Sequence, residues 1–165
     1  LAEARGGSRG PENVWGSAAT GAALALLIGA GAEPRSVLLV GFAASFAAKL
    51  ADTFGSEIGK RWGRTTVLIT SFRRVPPGTE GAISLEGTLA SALGSLLMSV
   101  LMLALQLLPS WPVTGLVMLI GLVATLAESL FGALVQDRFG WMSNELVNAL
   151  QTSLAAVLAI TAMQI

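Results

Sequence analysis

Long apolar segments alternate with short polar connections along this chain. The apolar segments cover approximately residues 14–32, 36–59, 82–108, 113–136 and 144–165. A helix needs about 20 mainly apolar residues to cross a bilayer, and these segments are long enough. The pattern therefore predicts an all-α, polytopic transmembrane bundle of about five membrane-spanning helices, with residues 1–165 forming a single integral-membrane domain. Residues 60–81 form one long connection that is rich in Arg, Pro and Gly.

The residue composition limits the chemistry that such a bundle can carry out. Hydrophobic residues make up 53% of the chain and charged residues 12%, well below the charged share of a soluble domain. Ten basic residues balance ten acidic ones, so no overall positive field favours nucleic acid, and membrane lipid is the expected surrounding. The absence of Cys and His excludes disulfides, thiolate nucleophiles, imidazole bases and Cys/His zinc sites. The remaining Asp, Glu, Lys and Arg side chains suit Mg²⁺ and phosphate groups.

The distribution of basic residues predicts the orientation of the bundle. Basic residues in short loops favour the cytoplasmic side of a membrane or its equivalent. With five crossings, one side receives Arg5, Arg9, Lys60, Arg61, Arg64, Arg73, Arg74 and Arg138, and the other side receives Arg35. Residues 60–81 are therefore expected to face the nucleotide-containing compartment, and the C-terminus is expected to face the opposite side.

The same topology brings acidic and amide side chains to one side of the membrane. They are Asp52 and Glu57 near the end of the second segment, Glu86 at the start of the third, Glu128 near the end of the fourth, and Asn144 and Asn148 at the start of the fifth. A charge near the bilayer centre costs about 2.5–3.5 kcal/mol on insertion scales, so such residues usually pair, line a cavity or bind an ion. We therefore expect one water-accessible pocket at this side.

A polar stripe on the second segment supports this convergence. The stripe consists of Ser45, Lys49, Asp52 and Ser56. Their helical spacing places them on one face, which should point toward neighbouring helices. Two simpler interpretations stay open: Lys49 pairs with Asp52 and needs no ligand, or small polar residues of this kind serve helix packing. Four residues at the end of the segment are equally explained as interface residues that reach toward water: Glu57, Lys60, Arg61 and Arg64.

The long connection carries groups suited to phosphate. The sequence PPGTEG at 76–81 combines stiff prolines with glycines whose amides are accessible, and the following helix offers its positive N-terminal end. GKRWGRTT at 59–66 superficially resembles a Walker phosphate loop, but its glycine spacing is wrong and an Arg stands where Lys is required. An ion or lipid transporter is an alternative, although the charges crowd one side of the membrane and no internal repeat is visible.

Separated motif blocks resemble a known enzyme family. SEIGKRWGRTTVLIT, VPPGTEGAISLEGT, ESLFGALVQD and NELVN are similar to blocks of the plant and cyanobacterial phytyl phosphate kinases of the vitamin E pathway. The resemblance covers nearly the whole chain from about Arg9, and it extends more distantly to CTP-dependent polyprenol kinases. It implies transfer of the γ-phosphoryl group of CTP or ATP to phytyl phosphate, giving phytyl diphosphate for tocopherol synthesis in a chloroplast or cyanobacterial membrane.

The resemblance, together with the residue types, implies roles for individual side chains. The expected catalytic residues are Asp52, Glu57, Glu86 and Glu128. Nucleotide binding is expected from Lys60, Arg73, Arg74, Gly78, Thr79, Glu80, Gly81, Asn144 and Asn148. Mg²⁺ is the expected cofactor, and its expected ligands are Asp52, Glu80 and Glu86.

Two departures from the family pattern and one alternative activity accompany these expectations. Relatives tend to carry a basic residue at the position of Pro77, which leaves Arg73 and Arg74 to supply that charge. They also tend to carry further hydrophobic segments before residue 1, so additional N-terminal helices are expected. The alternative enzyme phosphorylates the free alcohol, phytol or a polyprenol, and would need a carboxylate as base.

Overall fold

Five α-helices account for most of the chain in the computed structural model, which describes residues 10–135 and 142–165. The helices are α1 (Pro11–Gly29), α2 (Arg35–Trp62), α3 (Leu85–Ala104), α4 (Trp111–Val135) and α5 (Asn144–Ala162). Two short strands, β1 (Thr66–Leu68) and β2 (Ala82–Ser84), lie between α2 and α3. The predicted all-α bundle is confirmed. Arg5, Arg9, Arg138 and the predicted helix end at Gln136 lie outside the described residues.

Four of the described helices, α2 to α5, are long and apolar enough to cross a membrane. Their outer faces carry large apolar side chains such as Leu89, Leu119 and Val157, each more than half exposed, as lipid contact requires. The remaining helix, α1, begins three residues before the predicted first segment, with Pro11 at its first turn, and ends at Gly29. Proline is well tolerated there because the first helical N–H groups have no partner within the helix.

Helix α2 lies at the centre of the bundle and packs against all four other helices. Its inner face is lined with alanines that have no exposed surface: Ala43, Ala44, Ala47, Ala48 and Ala51. Such small side chains let helix backbones approach closely, which is the main source of packing energy between helices in lipid. The polar residues of α2 consequently lie in the middle of the assembly rather than at its lipid-facing edge.

Glycines bring α3 into direct backbone contact with α2. A Cβ atom added at Gly87 would lie 2.9 Å from the carbonyl oxygen of Gly55 and 3.2 Å from Cα of Gly59. Seven residues further along α3, a Cβ atom at Gly94 would lie 2.7 Å from the carbonyl oxygen of Leu50. The two helices are therefore fixed relative to each other on both sides of Asp52.

The connection between α2 and α3, predicted as one long loop over residues 60–81, contains a small hairpin. Helix α2 continues through Trp62, and β1 pairs with β2 in antiparallel register, with Val67 opposite Ile83. Long connections without structure of their own are uncommon in compact domains, and β-branched residues favour strands. The hairpin fixes the PPGTEG turn next to the ends of the helices.

Candidate functional site

A polar cavity of about 460 Å³ opens at the end of the bundle where α2 and α4 end and α1, α3 and α5 begin. Residues from all five helices and from the hairpin line it. The chain direction therefore gathers polar side chains at one end of the bundle, which is the arrangement that the predicted topology requires. The outer faces of α3 and α4 carry exposed large apolar side chains, among them Leu89 and Leu130.

Most of the predicted site residues line this cavity. They are Asp52, Glu57, Lys60, Gly78, Thr79, Glu80, Gly81, Glu128, Asn144 and Asn148. Three predicted residues, Glu86, Arg73 and Arg74, do not line it. The structure thus brings the carboxylates of α2, α4 and the hairpin together, and it leaves one carboxylate and two guanidinium groups outside.

Helix periodicity explains the position of Glu86. The polar face of α3 toward the cavity includes Thr88 and Ser91, and Ser84, which caps the start of the helix, also lines the cavity. Glu86 is two residues before Thr88, so it is rotated by roughly 200° away from that face. The predicted catalytic and metal-binding roles of Glu86 remain predictions.

The hairpin explains the positions of the two arginines. Arg74 lies opposite Val67 in an isolated β-bridge, and the carbonyl oxygen of Arg73 accepts a hydrogen bond from Leu68 N at 2.9 Å. Both side chains are exposed to solvent. Their predicted contacts with phosphate stay predictions.

A charged network forms the floor of the cavity. Nζ of Lys49 donates hydrogen bonds to Oδ2 of Asp52 at 2.8 Å and to Oδ1 of Asn148 at 2.9 Å. The side chains of Lys49 and Asp52 are 19% and 18% exposed. The simpler interpretation of the polar stripe is therefore right about the ion pair, and the pair faces the cavity while tying α2 to α5.

Negative charge predominates around this network. The carboxyl group of Glu128, on α4, is close enough to Asp52 and Glu80 to be influenced by both charges, and Lys49 is the nearby cation. Glu57 and Lys60 lie further out and are exposed at the mouth. An accumulation of carboxylates in a partly buried cavity favours the binding of a cation with a multiply charged anion.

The donor set fits Mg²⁺ held jointly with phosphate. Among the described residues, no group of three or more acidic side chains is close enough to hold a metal ion alone. Mg²⁺ typically keeps several waters and uses one or two carboxylates together with substrate phosphates, so a complete cage of protein ligands is not required. Asp52, Glu80 and Glu128 are the cavity carboxylates that could supply such ligands.

A buried hydrogen-bond network supports the floor from below. Nε2 of Gln151 donates to the carbonyl oxygen of Ala48 at 3.2 Å and to Oγ1 of Thr125 at 3.0 Å. Oγ1 of Thr125 is in turn 3.0 Å from the carbonyl oxygen of Gly121. These contacts join α2, α4 and α5 directly beneath Lys49, which restricts the movement of the floor.

The hairpin turn presents backbone groups at the other wall. Thr79 N donates to the carbonyl oxygen of Pro76 at 3.2 Å, and Gly78 has a φ of +90°. Pro77 followed by a glycine with positive φ is the signature of a type II turn. Gly81, with a φ of +72°, packs against Ala133 of α4, so the turn is attached to the bundle at that point.

Some cavity residues were not predicted from the sequence. Asn13 and Ser17 contribute from α1, and Glu145 contributes from the first turn of α5. A signal was present, because the predicted topology places the start of the first and the fifth segments at the same side. Polar residues at helix ends are common, however, so their type alone does not distinguish them from ordinary surface positions.

Comparison with known proteins agrees with this architecture. Residues 1–156 match the family described as Integral membrane protein DUF92. The chain belongs to this family. It is an integral, multi-pass membrane protein, and no solved structure matches this DUF92 chain.

Individual relatives extend from bacteria and plants to archaea. Uncharacterized membrane protein sll0875 of Synechocystis is 47% identical over 163 residues, which cover 97% of this chain and 62% of the relative. Protein VTE6, chloroplastic, of Arabidopsis thaliana is 44% identical over 171 aligned residues, covering 99% and 50%. Uncharacterized membrane protein MJ0933 of Methanocaldococcus jannaschii is 36% identical over 128 residues, covering 74% and 50%.

The chloroplast and cyanobacterial relatives confirm the family resemblance indicated by the motif blocks. The DUF92 chain spans about half of two of these curated relatives and 62% of the third.

Proposed function

We propose that this protein is a membrane prenyl-phosphate kinase that transfers the γ-phosphoryl group of CTP or ATP to phytyl phosphate, giving phytyl diphosphate for tocopherol synthesis. The observation that carries the proposal is the cavity itself, in which carboxylates from three helices and the hairpin turn meet lysines at one end of the bundle. The resemblance of the motif blocks to phytyl phosphate kinases supports the same activity.

The reaction suits the side chains that the cavity contains. An oxygen of the acceptor phosphate forms a bond to the γ-phosphorus, the bond from that phosphorus to the β,γ-bridging oxygen breaks, and CDP or ADP leaves with the bonding electrons. A phosphate monoester is already an anionic nucleophile, so positioning and charge neutralisation contribute more than a strong base. The absence of His from the chain is therefore compatible with the reaction.

In this proposal, residues at the mouth of the cavity bind the nucleotide, and deeper carboxylates bind the metal–phosphate complex. Lys60 at the mouth donates to nucleotide phosphates, and the backbone of the turn at Gly78 and Thr79 offers further donors. Asp52 and Glu128 would hold a metal–phosphate complex, in which Mg²⁺ would neutralise charge on the transferring group. The lining favours Glu128 over Glu86 as the partner of Asp52.

One assay distinguishes this activity from its alternatives. Membranes containing the protein are incubated with CTP or ATP labelled at the γ-phosphate, first with phytyl phosphate and then with phytol. The proposal predicts label in phytyl diphosphate. Label in phytyl phosphate, formed from phytol, would assign an alcohol kinase instead. Label in neither lipid, with the protein folded, would contradict both kinases and favour a transporter.

A further inference from the structure

Two lysines line the described part of the cavity, and they lie on the same helix. Lys49 and Lys60 are eleven residues apart on α2. Eleven residues correspond to about three helical turns, so both side chains leave nearly the same face, at heights that differ by roughly 16 Å along the axis. Asp52 lies between them, one turn from Lys49. From the deep end of the cavity to its mouth, α2 therefore presents Lys49, Asp52 and Lys60.

The surroundings of the two lysines differ in a way that matches two kinds of anion. Lys60 is exposed at the mouth, whereas the side chain of Lys49 is 19% exposed. Lys49 sits above Ala48, which is fully buried, and above Gln151, which is 2% exposed. A nucleotide enters from water and meets Lys60 first. A lipid phosphate enters with its tail in the hydrocarbon region, so its anion reaches the deeper cation.

Lys49 and Asn148 have further hydrogen-bond donors that such an anion could use. An ammonium group has three N–H donors. Within the described residues, Lys49 uses two of them, one for Asp52 and one for Asn148. Asn148 accepts that bond through its oxygen, which leaves its amide hydrogens beside the ammonium group. A phosphate can therefore receive donors from both side chains while Asp52 holds the ammonium group of Lys49 in place.

From this arrangement we infer that Lys49 binds the phosphate of the lipid acceptor and makes the protein select a prenyl monophosphate over a prenyl alcohol. The inference rests on the proposed function and names the acceptor half of the same site. A charge-assisted hydrogen bond to a phosphate oxygen is roughly twice as strong as one between neutral groups, and an alcohol gains no such bond. Lys49 is thus the specificity-determining residue for the acceptor class.

The test measures lipid binding without nucleotide. Labelled phytyl phosphate and labelled phytol are titrated against the detergent-solubilised protein, and the ratio of their affinities is determined. The wild type is expected to prefer phytyl phosphate at least tenfold. In Lys49→Gln this preference is expected to disappear while the affinity for phytol stays unchanged, and Lys49→Arg is expected to retain it. Lys60→Gln is the matched control and is expected to retain the preference.

A second variant covers the case in which Lys49→Gln fails to fold. Removing one member of a buried ion pair leaves an uncompensated charge, whereas removing both is much better tolerated. The double variant Lys49→Met, Asp52→Asn is therefore expected to fold and to lose the preference as well. Wild-type preference for phytyl phosphate in either folded variant would overturn the inference.

The binding ratio tests the role of Lys49, and the labelled transfer assay tests the kinase activity. Either hypothesis can therefore be contradicted without the other. A preference that depends on Lys49 in a protein that transfers no label would support the acceptor site and reject the kinase. Label transfer to phytyl phosphate together with an unchanged preference in Lys49→Gln would reject the role of Lys49 and leave the kinase standing.

Discussion

Asp52 and Glu128 are carboxyl groups on two different helices, and each lies near other charged groups in the cavity. Asp52 has Lys49 within hydrogen-bond distance, whereas Glu128 lies near two other carboxylates, and among the described residues Lys49 is the cation near it. In the proposed function a nucleotide would add further negative charge to this cavity. Its binding is therefore expected to be more favourable together with a divalent cation than without one.

A single substitution at Lys60 tests the proposed contact between this side chain and the nucleotide phosphates. Lys60→Gln removes one charge-assisted contact with the donor phosphates, so KM for the nucleotide is expected to rise about tenfold, which corresponds to about 1.4 kcal/mol. Initial rates at varied CTP or ATP measure the change. Arg61→Gln is the matched control, because the Arg61 guanidinium carbon lies 5.5 Å from the centre of the Trp62 ring and the residue is outside the cavity lining. An equal rise in KM for both variants would contradict the role of Lys60.

The place of two carboxylates in the cavity could be predicted, because a carboxylate within an apolar segment requires an explanation. Asp52 and Glu128 stand out in this way, and the topology places them at one side of the membrane. The sequence also contained the reason why Glu86 lies outside, since the polar stripe of α3 passes through Thr88 and Ser91 but not through Glu86. The bond from Lys49 to Asn148 could not be predicted, because no pattern within one helix specifies which neighbour its polar face contacts.

At the scale of helices, backbone contact between α2 and α3 positions Asp52. Gly55 and Gly87 form one such contact and Gly94 and Leu50 another, and Asp52 lies between them along α2. Helix packing in lipid depends on van der Waals contact, so a shift of either helix would move the carboxylate relative to Glu128 and Asn148. The position of the Asp52 carboxylate therefore depends on glycines that have no functional side chain.

A pair of glycine substitutions tests this dependence. A Cβ atom at Gly94 would lie 2.7 Å from the carbonyl oxygen of Leu50, so Gly94→Ala must separate the helices and is expected to lower the free energy of unfolding by about 1–3 kcal/mol. Gly115 on α4 has no atom within 4 Å of such a Cβ, so Gly115→Ala is expected to be neutral or to stabilise by up to about 1 kcal/mol. Unfolding in mixed detergent micelles measures both values. Equal stability of the two variants would contradict the close α2–α3 packing.

Apolar length predicted the helices well and their connections less well. The last helix starts at Asn144 as predicted, while α2 extends three residues beyond the predicted Gly59 and α3 begins three residues after the predicted Ala82. Helix α3 starts later because Ala82–Ser84 pair as β2, and α2 extends further because Lys60 and Arg61 are polar but favour helix. Strand pairing depends on contacts between residues far apart in sequence, such as Thr66 with Ser84, and short-range periodicity does not reveal them.

At the scale of the whole molecule, the cavity and the turn between α1 and α2 mark opposite ends of the bundle. Arg35 begins α2 at one end, and Lys60 lies near its other end beside the cavity. The predicted bias of basic residues places the cavity end in the nucleotide-containing compartment. This orientation is required for a kinase that draws CTP or ATP from that compartment.

Cysteine labelling tests the orientation directly, because the chain has no cysteine of its own. Ser71→Cys in the hairpin region and Ser36→Cys at the start of α2 are both at exposed positions. A membrane-impermeant maleimide is expected to label Ser71→Cys from the nucleotide-containing side and Ser36→Cys from the other side. Labelling of both variants from one side would contradict the predicted topology.

In the proposed function the cavity is a phosphoryl-transfer site in which Asp52 participates. The most direct measurement is the rate at which label passes from γ-labelled CTP or ATP to phytyl phosphate in the wild type and in Asp52→Asn, with Glu33→Gln as a carboxylate-to-amide control at the opposite end. We expect a rate at least about 100-fold lower for Asp52→Asn, because a ligand of the metal–phosphate complex is lost, and an unchanged rate for Glu33→Gln. Turnover by folded Asp52→Asn at the rate of the Glu33→Gln control would contradict this expectation.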